Sequence, residues 1–203
     1  MRCVINPGHD GLRDRGAPGA LGVPEATINR NVVLAMCGLS DEALTYEPKR
    51  QSIVGLWILT AALRRNPPDV LVSLHCNAAK HHPPCIHEAR IYWWADDPDW
   101  ERRTRSLGLA SAIREHSEGL MSEHAVLCEV PYLHLYPDET KKPKTPGILV
   151  NTAKSAAVLV EMGFISDRCV AGAMNNSWWV GRTASALDAG IRQWIREQPS
   201  HES

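Results

Sequence analysis

Residues 69–74 read "DVLVSL", an almost unbroken apolar run that begins directly after Asn66-Pro67-Pro68 and hands over at once to His75, Cys76 and Asn77. A short run of this kind, bounded by a turn and lacking polar alternation, is the pattern of a strand covered on both faces, as in the middle of a parallel sheet. A second such run, "AAVLVE" at 156–161, lies far down the chain, and a shorter one, "RCVIN" at 2–6, opens it. Strands are further expected at 43–47 and 88–95. Helical spacing marks the stretches between them. At 25–39 Ile28, Val32, Met36 and Leu39 share one face, and at 51–65 Ile53, Leu56, Trp57, Leu59 and Leu63 point inward. A helix over 98–120 runs through Trp100, Leu107, Leu109, Ala110 and Ile113, and one over 178–196 presents Ala184, Leu187, Ile191, Trp194 and Ile195 on one side. Strands alternating with helices argue for an α/β domain with a twisted, mostly parallel sheet flanked by helices on both faces. The stretch 122–148, with Pro131, Pro137, Pro143 and Pro146, reads as a structured loop. The reading is one domain over 1–197 and a polar tail over 198–203.

Composition narrows the function classes. A net charge of -1 over 203 residues gives no electrostatic footprint for nucleic acid, and no stretch is long enough for a membrane anchor. Only Cys3, Val4 and Ile5 precede polar Asn6, too few for the apolar segment of a signal peptide, so synthesis in the cytoplasm is expected. The six cysteines include no C-x-x-C pair, and free, mostly buried thiols are expected rather than a disulfide framework.

Three of the apolar strands run into a chemically active residue. The first leads through Pro7-Gly8 to His9, the second meets His75, and the third meets Glu161. In open α/β sheets ligands bind beyond the carboxyl ends of the strands. Parallel neighbours would therefore bring all three to one edge, and the long loop 7–24 can return Glu25 there. Taken singly, a strand-end histidine is an ordinary structural residue and Glu25 a carboxylate favoured at a helix start. Glu161 lies between apolar runs and needs a partner or a metal. Together they form the inventory of a catalytic zinc site: His9, Glu25 and His75 as ligands to one Zn2+, with Glu161 as general base toward a water acidified by the metal.

The segments "INPGHDG" (5–11), "GAPGALGVPEATIN" (16–29), "LVSLHCNAA" (71–79) and "AAVLVEMGFISD" (156–167) resemble, in order, the signatures of zinc-dependent N-acetylmuramoyl-L-alanine amidases of the amidase_3 type. The resemblance implies a twisted α/β sheet and cleavage of the amide between N-acetylmuramic acid and the L-alanine of the peptidoglycan stem peptide. It implies that His9, Glu25 and His75 hold zinc and that Glu161 is catalytic. Two positions depart from the pattern: Cys76 stands where alanine is usual, and Ala156 where proline is. Strand alternation turns Cys76 away from His75. With cytoplasmic synthesis, the resemblance suggests a phage endolysin that meets the wall after membrane breach. Other readings are a zinc carboxypeptidase or aminoacylase, or a non-catalytic wall-binding module on the same fold. The cluster His81, His82, Cys85 and His87 reads as an exposed loop rather than a second metal site, and Lys154 as a surface lysine rather than a substrate contact.

Overall fold

The computed structural model describes residues 1–9, 11–49, 56–79, 88–119, 124–130 and 154–198. The strands are β1 (Arg2–Pro7), β2 (Thr45–Pro48), β3 (Val70–Asn77), β4 (Glu88–Trp94), β5 (His124–Val130) and β6 (Ala156–Phe164). The helices are α1 (Glu25–Cys37), α2 (Leu56–Arg65), α3 (Trp100–Ser117), α4 (Arg168–Met174) and α5 (Ser177–Glu197).

The strands form one sheet in the order β2-β1-β3-β6-β4-β5. All neighbours run parallel except β4 against β6. The three strands first read as apolar runs are β1, β3 and β6, adjacent and parallel at the centre, so their carboxyl ends share one edge. Alternation along them separates two cores. Cys3, Ile5, Val70, Val72, Leu74, Val158 and Val160 face α1, α3 and α5, meeting Ile28, Val32, Met36, Leu109, Ile113, Leu187, Ile191 and Trp194. Val4, Leu71, Ala157 and Leu159 face the other way, onto Leu59 and Leu63 of α2. Burial of each such aliphatic side chain contributes roughly 1.5–3 kcal/mol. The paired tryptophans of β4 divide as alternation requires, Trp93 into the larger core and Trp94 against the smaller one. Helix starts are fixed by side-chain caps: Asp99 accepts from Arg102 N, Asp167 from Cys169 N and Val170 N, and Asn176 from Trp178 N.

The structure corrects several expectations. Strand β3 continues through Asn77 and β6 through Phe164, so His75 lies within its strand rather than after it, and Glu161 within its strand rather than at its end. Part of 122–148 is strand: β5 pairs with β4 along its whole length. Helix α4 was not foreseen. Trp100 is 69% exposed and Leu107 and Leu39 are also at the surface, leaving Leu109, Ala110 and Ile113 as the apolar face of α3. No disulfide joins the five cysteines described, but only Cys3 and Cys76 are buried. Residues 10, 50–55, 80–87, 120–123, 131–153 and 199–203 lie outside the described residues, and with them Ile53, Cys85, the His81–His87 cluster and all but the first residue of the tail. Among the described residues no helix is long and apolar enough to cross a membrane.

Candidate active site

The site is assembled at the carboxyl edge of β1, β3 and β6. Pro7 still pairs with Leu74, and Gly8 N donates to Leu74 O at 2.8 Å, so the chain stays on the sheet until the residue before His9. His9 then turns off it with φ 66°, the single non-glycine residue at positive φ among those described. A histidine in this region is uncommon and costs backbone energy, and such strain concentrates at functional sites. Gly8 is required by its neighbour, because a Cβ there would fall on the His75 ring. Gly16, at φ 67°, has the same role on the other side. Its Cβ would lie 2.5 Å from Glu25 Oε2 and 2.6 Å from His9 Cδ2.

Glu25 is the first residue of α1 and only 3% exposed. Its carboxylate serves the site rather than the helix end alone. Oε2 accepts from Ala17 N at 2.9 Å and lies 3.2 Å from His9 Nε2, while Oε1 accepts from Cys76 N at 3.0 Å and lies 3.1 Å from His75 Nδ1. One helical turn on, buried Asn29 donates to Gly8 O at 3.2 Å and reaches Glu25 Oε1 at 3.5 Å. The imidazole rings of His9 and His75 meet edge to face, 5.1 Å between centroids. Burial works to raise the Glu25 carboxyl, but the two imidazoles and the backbone N–H groups of Ala17 and Cys76 outweigh it and hold it well below the carboxylate range. The same contact with Glu25 raises His9 to about 9, against the effect of burial and with help from Asp14. Asp14 Oδ2 lies 2.7 Å from His9 Nδ1, close but off the N–H axis.

Glu161 sits directly across from His75 in the β3–β6 register. Its Oε2 is sealed from solvent and has no hydrogen-bond partner among the described residues. Burial pushes its carboxyl up to about 7, with the charge of Glu25 adding to the rise while His75, His9 and Arg90 oppose it. A carboxyl poised there exchanges protons readily near neutrality.

All four residues expected from the sequence are thus brought together. One ligand atom from each of His9, Glu25 and His75 lies within 4.8 Å of the others, a grouping that can hold a metal ion. Ligands about 2.1 Å from a tetrahedral ion are about 3.4 Å apart, near the 3.1 and 3.2 Å separations of the two imidazoles from Glu25. The residues present fit such an ion. Cys76 takes no part: its Sγ contacts Asn29 Oδ1 at 3.3 Å, on the face away from His75. Lys154 precedes β6 at the opposite edge of the sheet, where its carbonyl accepts from Arg105. Sequence reasoning missed Asn29, Asp14 and the steric roles of Gly8 and Gly16. It also missed Arg90, which pairs with Glu161 in the β4–β6 register and stacks 5.2 Å from the Phe164 ring centroid.

Comparison with known proteins identifies the family and the fold. The family described as Amidase_3, N-acetylmuramoyl-L-alanine amidase, matches residues 3–193. Among solved structures, the amidase AmiC2 of Nostoc punctiforme is 18% identical, covers 97% of this chain and 98% of its own, and superposes with a TM-score of 0.74. An N-acetylmuramoyl-L-alanine amidase from Clostridium difficile 630 is 16% identical, with 98% of each chain covered and a TM-score of 0.74. The catalytic domain of the CD27L endolysin targeting Clostridia Difficile is 16% identical, covers 95% of this chain and 97% of its own, and scores 0.64. No curated protein sequence matches the chain.

Proposed function

The chain belongs to the Amidase_3 family of N-acetylmuramoyl-L-alanine amidases, and from that premise we propose that it hydrolyses the amide between N-acetylmuramic acid and L-alanine in peptidoglycan at a site made of His9, Glu25, His75 and Glu161. The observation that carries this reading is the juxtaposition of a three-residue ligand group with the Glu161 carboxyl on a neighbouring strand, its Oε2 buried and without a hydrogen-bond partner among the described residues. His9, Glu25 and His75 would hold one Zn2+, the ion that two histidines and a glutamate suit. When bound, the ion supplies Lewis-acid polarisation of the scissile carbonyl and acidifies the attacking water.

The remaining steps fall to the chain itself. Glu161, deprotonated, takes a proton from the attacking water and passes it to the departing nitrogen of L-alanine. Its burial matters here, because a carboxyl near 7 can both accept and return that proton. The backbone N–H groups of Ala17 and Cys76 fix the Glu25 carboxylate, which in turn holds both imidazoles in place before substrate arrives, so no reorganisation is needed at the moment of reaction. The catalytic unit is residues 1–197. The same proposal has the protein act as an endolysin, on the wall after release from the cell that makes it, and lysis of permeabilised but not intact producer cells would bear that out.

Two measurements test the assignment. Elemental analysis should find one zinc per chain, with cleavage lost to chelator and restored by zinc. Digested peptidoglycan should carry new N-terminal L-alanine, whereas new ends at D-residues would point to a carboxypeptidase.

A further inference from the structure

We infer that Asp14 is a positioning residue, whose carboxylate engages His9 Nδ1 and so turns Nε2 toward Glu25 and the metal. The inference rests on the metal-site reading above. The two ring nitrogens of His9 have different surroundings: Nδ1 lies 2.7 Å from Asp14 Oδ2, and Nε2 lies 3.2 Å from Glu25 Oε2. A neutral imidazole carries one N–H and one lone pair; Asp14 lies off the Nδ1–H axis, so the contact is a close charge approach rather than an aligned hydrogen bond, yet a carboxylate at this distance favours the N–H on Nδ1 and leaves the lone pair on Nε2. Metal-bound histidines are commonly held by a carboxylate on the far nitrogen, which fixes the tautomer and the ring plane.

His9 needs such a holder more than His75 does. His75 is set by a strand paired on both sides, whereas His9 stands on a turn at φ 66°. Asp14 is itself anchored. Its Oδ1 accepts from Gly16 N at 3.1 Å and its carbonyl accepts from Gly11 N at 2.9 Å, closing the loop that brings the carboxylate back to the ring. Its side chain is 53% exposed, so replacing it removes little packing.

The test is zinc affinity of the metal-free protein, read by competition with a chromophoric chelator, with zinc alone as the ligand. Asp14→Ala should bind zinc about 10–100-fold more weakly than wild type. Asp14→Asn, which keeps an acceptor without the charge, should fall between the two. The metal-free variants should melt at nearly the wild-type temperature. Affinity of Asp14→Ala within threefold of wild type overturns the inference. So does an equal loss in both variants accompanied by early melting, which would make Asp14 a loop brace only. If the wild type binds zinc and Asp14→Ala weakens it, but the products show cleavage of a different bond, the amidase reading fails while the positioning role stands. A wild type that binds no zinc overturns both.

Discussion

The two halves of the site are built by different means. His75 and Glu161 are carried by β3 and β6, adjacent parallel strands at the centre of the sheet, and face each other in register. Their placement is enforced by the whole ladder and by the cores on either side, and a slip of one residue would turn both to the opposite face. His9 and Glu25 are carried by a glycine-rich loop and a helix start. Their placement depends on local devices: the positive φ of His9, the missing Cβ atoms of Gly8 and Gly16, the Asn29 bridge to Gly8, and the contact with Asp14. The strand half is robust because fold stability holds it. The loop half is held by a few contacts and can fail without the fold failing.

Substitutions can break or sharpen that contrast. The largest expected effect is at the residue that joins the halves. Glu25→Gln removes the shared anion, and zinc content and amide cleavage should both fall, cleavage by at least about 10³-fold if several kcal/mol of metal stabilisation are lost. Near-normal zinc content in that variant would deny Glu25 its ligand role. Next, Leu74→Ala opens the core beneath the strand half and should lower unfolding free energy by about 2–5 kcal/mol in denaturant titration. Zinc should still bind below the melting point. Gly16→Ala should do the reverse. In the metal-free protein the loop should relax away from the strain and crowding, and regaining the metal-binding geometry at a cost of about 1–3 kcal/mol should weaken zinc binding roughly 10–100-fold in chelator competition, while the melting temperature moves little. If Gly16→Ala instead unfolds the protein, the loop half is not independent of the core.

The smallest effect is a pH dependence. In the metal-free protein Glu161 sits at about 7 against an ordinary 4.5. The folded state therefore holds its proton more tightly, and the associated stability is complete below about pH 4.5 and fades as pH rises through 7. Relative to Glu161→Gln, the metal-free wild type should lose on the order of 2 kcal/mol between pH 5 and 8. His9, raised to about 9, loses its own contribution as pH rises from 6.5 through 9, but it does so in both proteins and largely cancels. Parallel stability curves for the two proteins would show that the buried carboxyl is not perturbed.

The same contrast governs what could be read from the sequence. The central strands were legible because full burial writes a continuous apolar run, and the residues closing those runs proved to be the strand half of the site. The strand ends read at Leu74 and Glu161 fell short for a physical reason: backbone pairing continues wherever a polar side chain has a cleft to face, so polarity at His75 and Glu161 marked the site rather than the strand end. Strand β5 was hidden among prolines, and α4 is too short to show a period. Trp100 and Leu107 looked like core because helical spacing alone does not say how wide the buried stripe is. The loop half was legible only as chemistry. Nothing in "GHDGLRDRG" announces that Asp14 returns to His9, or that Gly8 and Gly16 make room for rings and carboxylates from elsewhere, since those contacts exist only once the loop has closed over α1.

The central claim is that three residues hold the metal and a fourth, Glu161, moves the proton. Mass spectrometry of muropeptides released from purified peptidoglycan by wild type and by Glu161→Gln, both loaded with one zinc per chain, tests it most directly. The account predicts stem peptides with free N-terminal L-alanine from the wild type, and a loss of about 10²–10⁴-fold in the variant with its zinc retained. Cleavage by Glu161→Gln at the wild-type rate would contradict it.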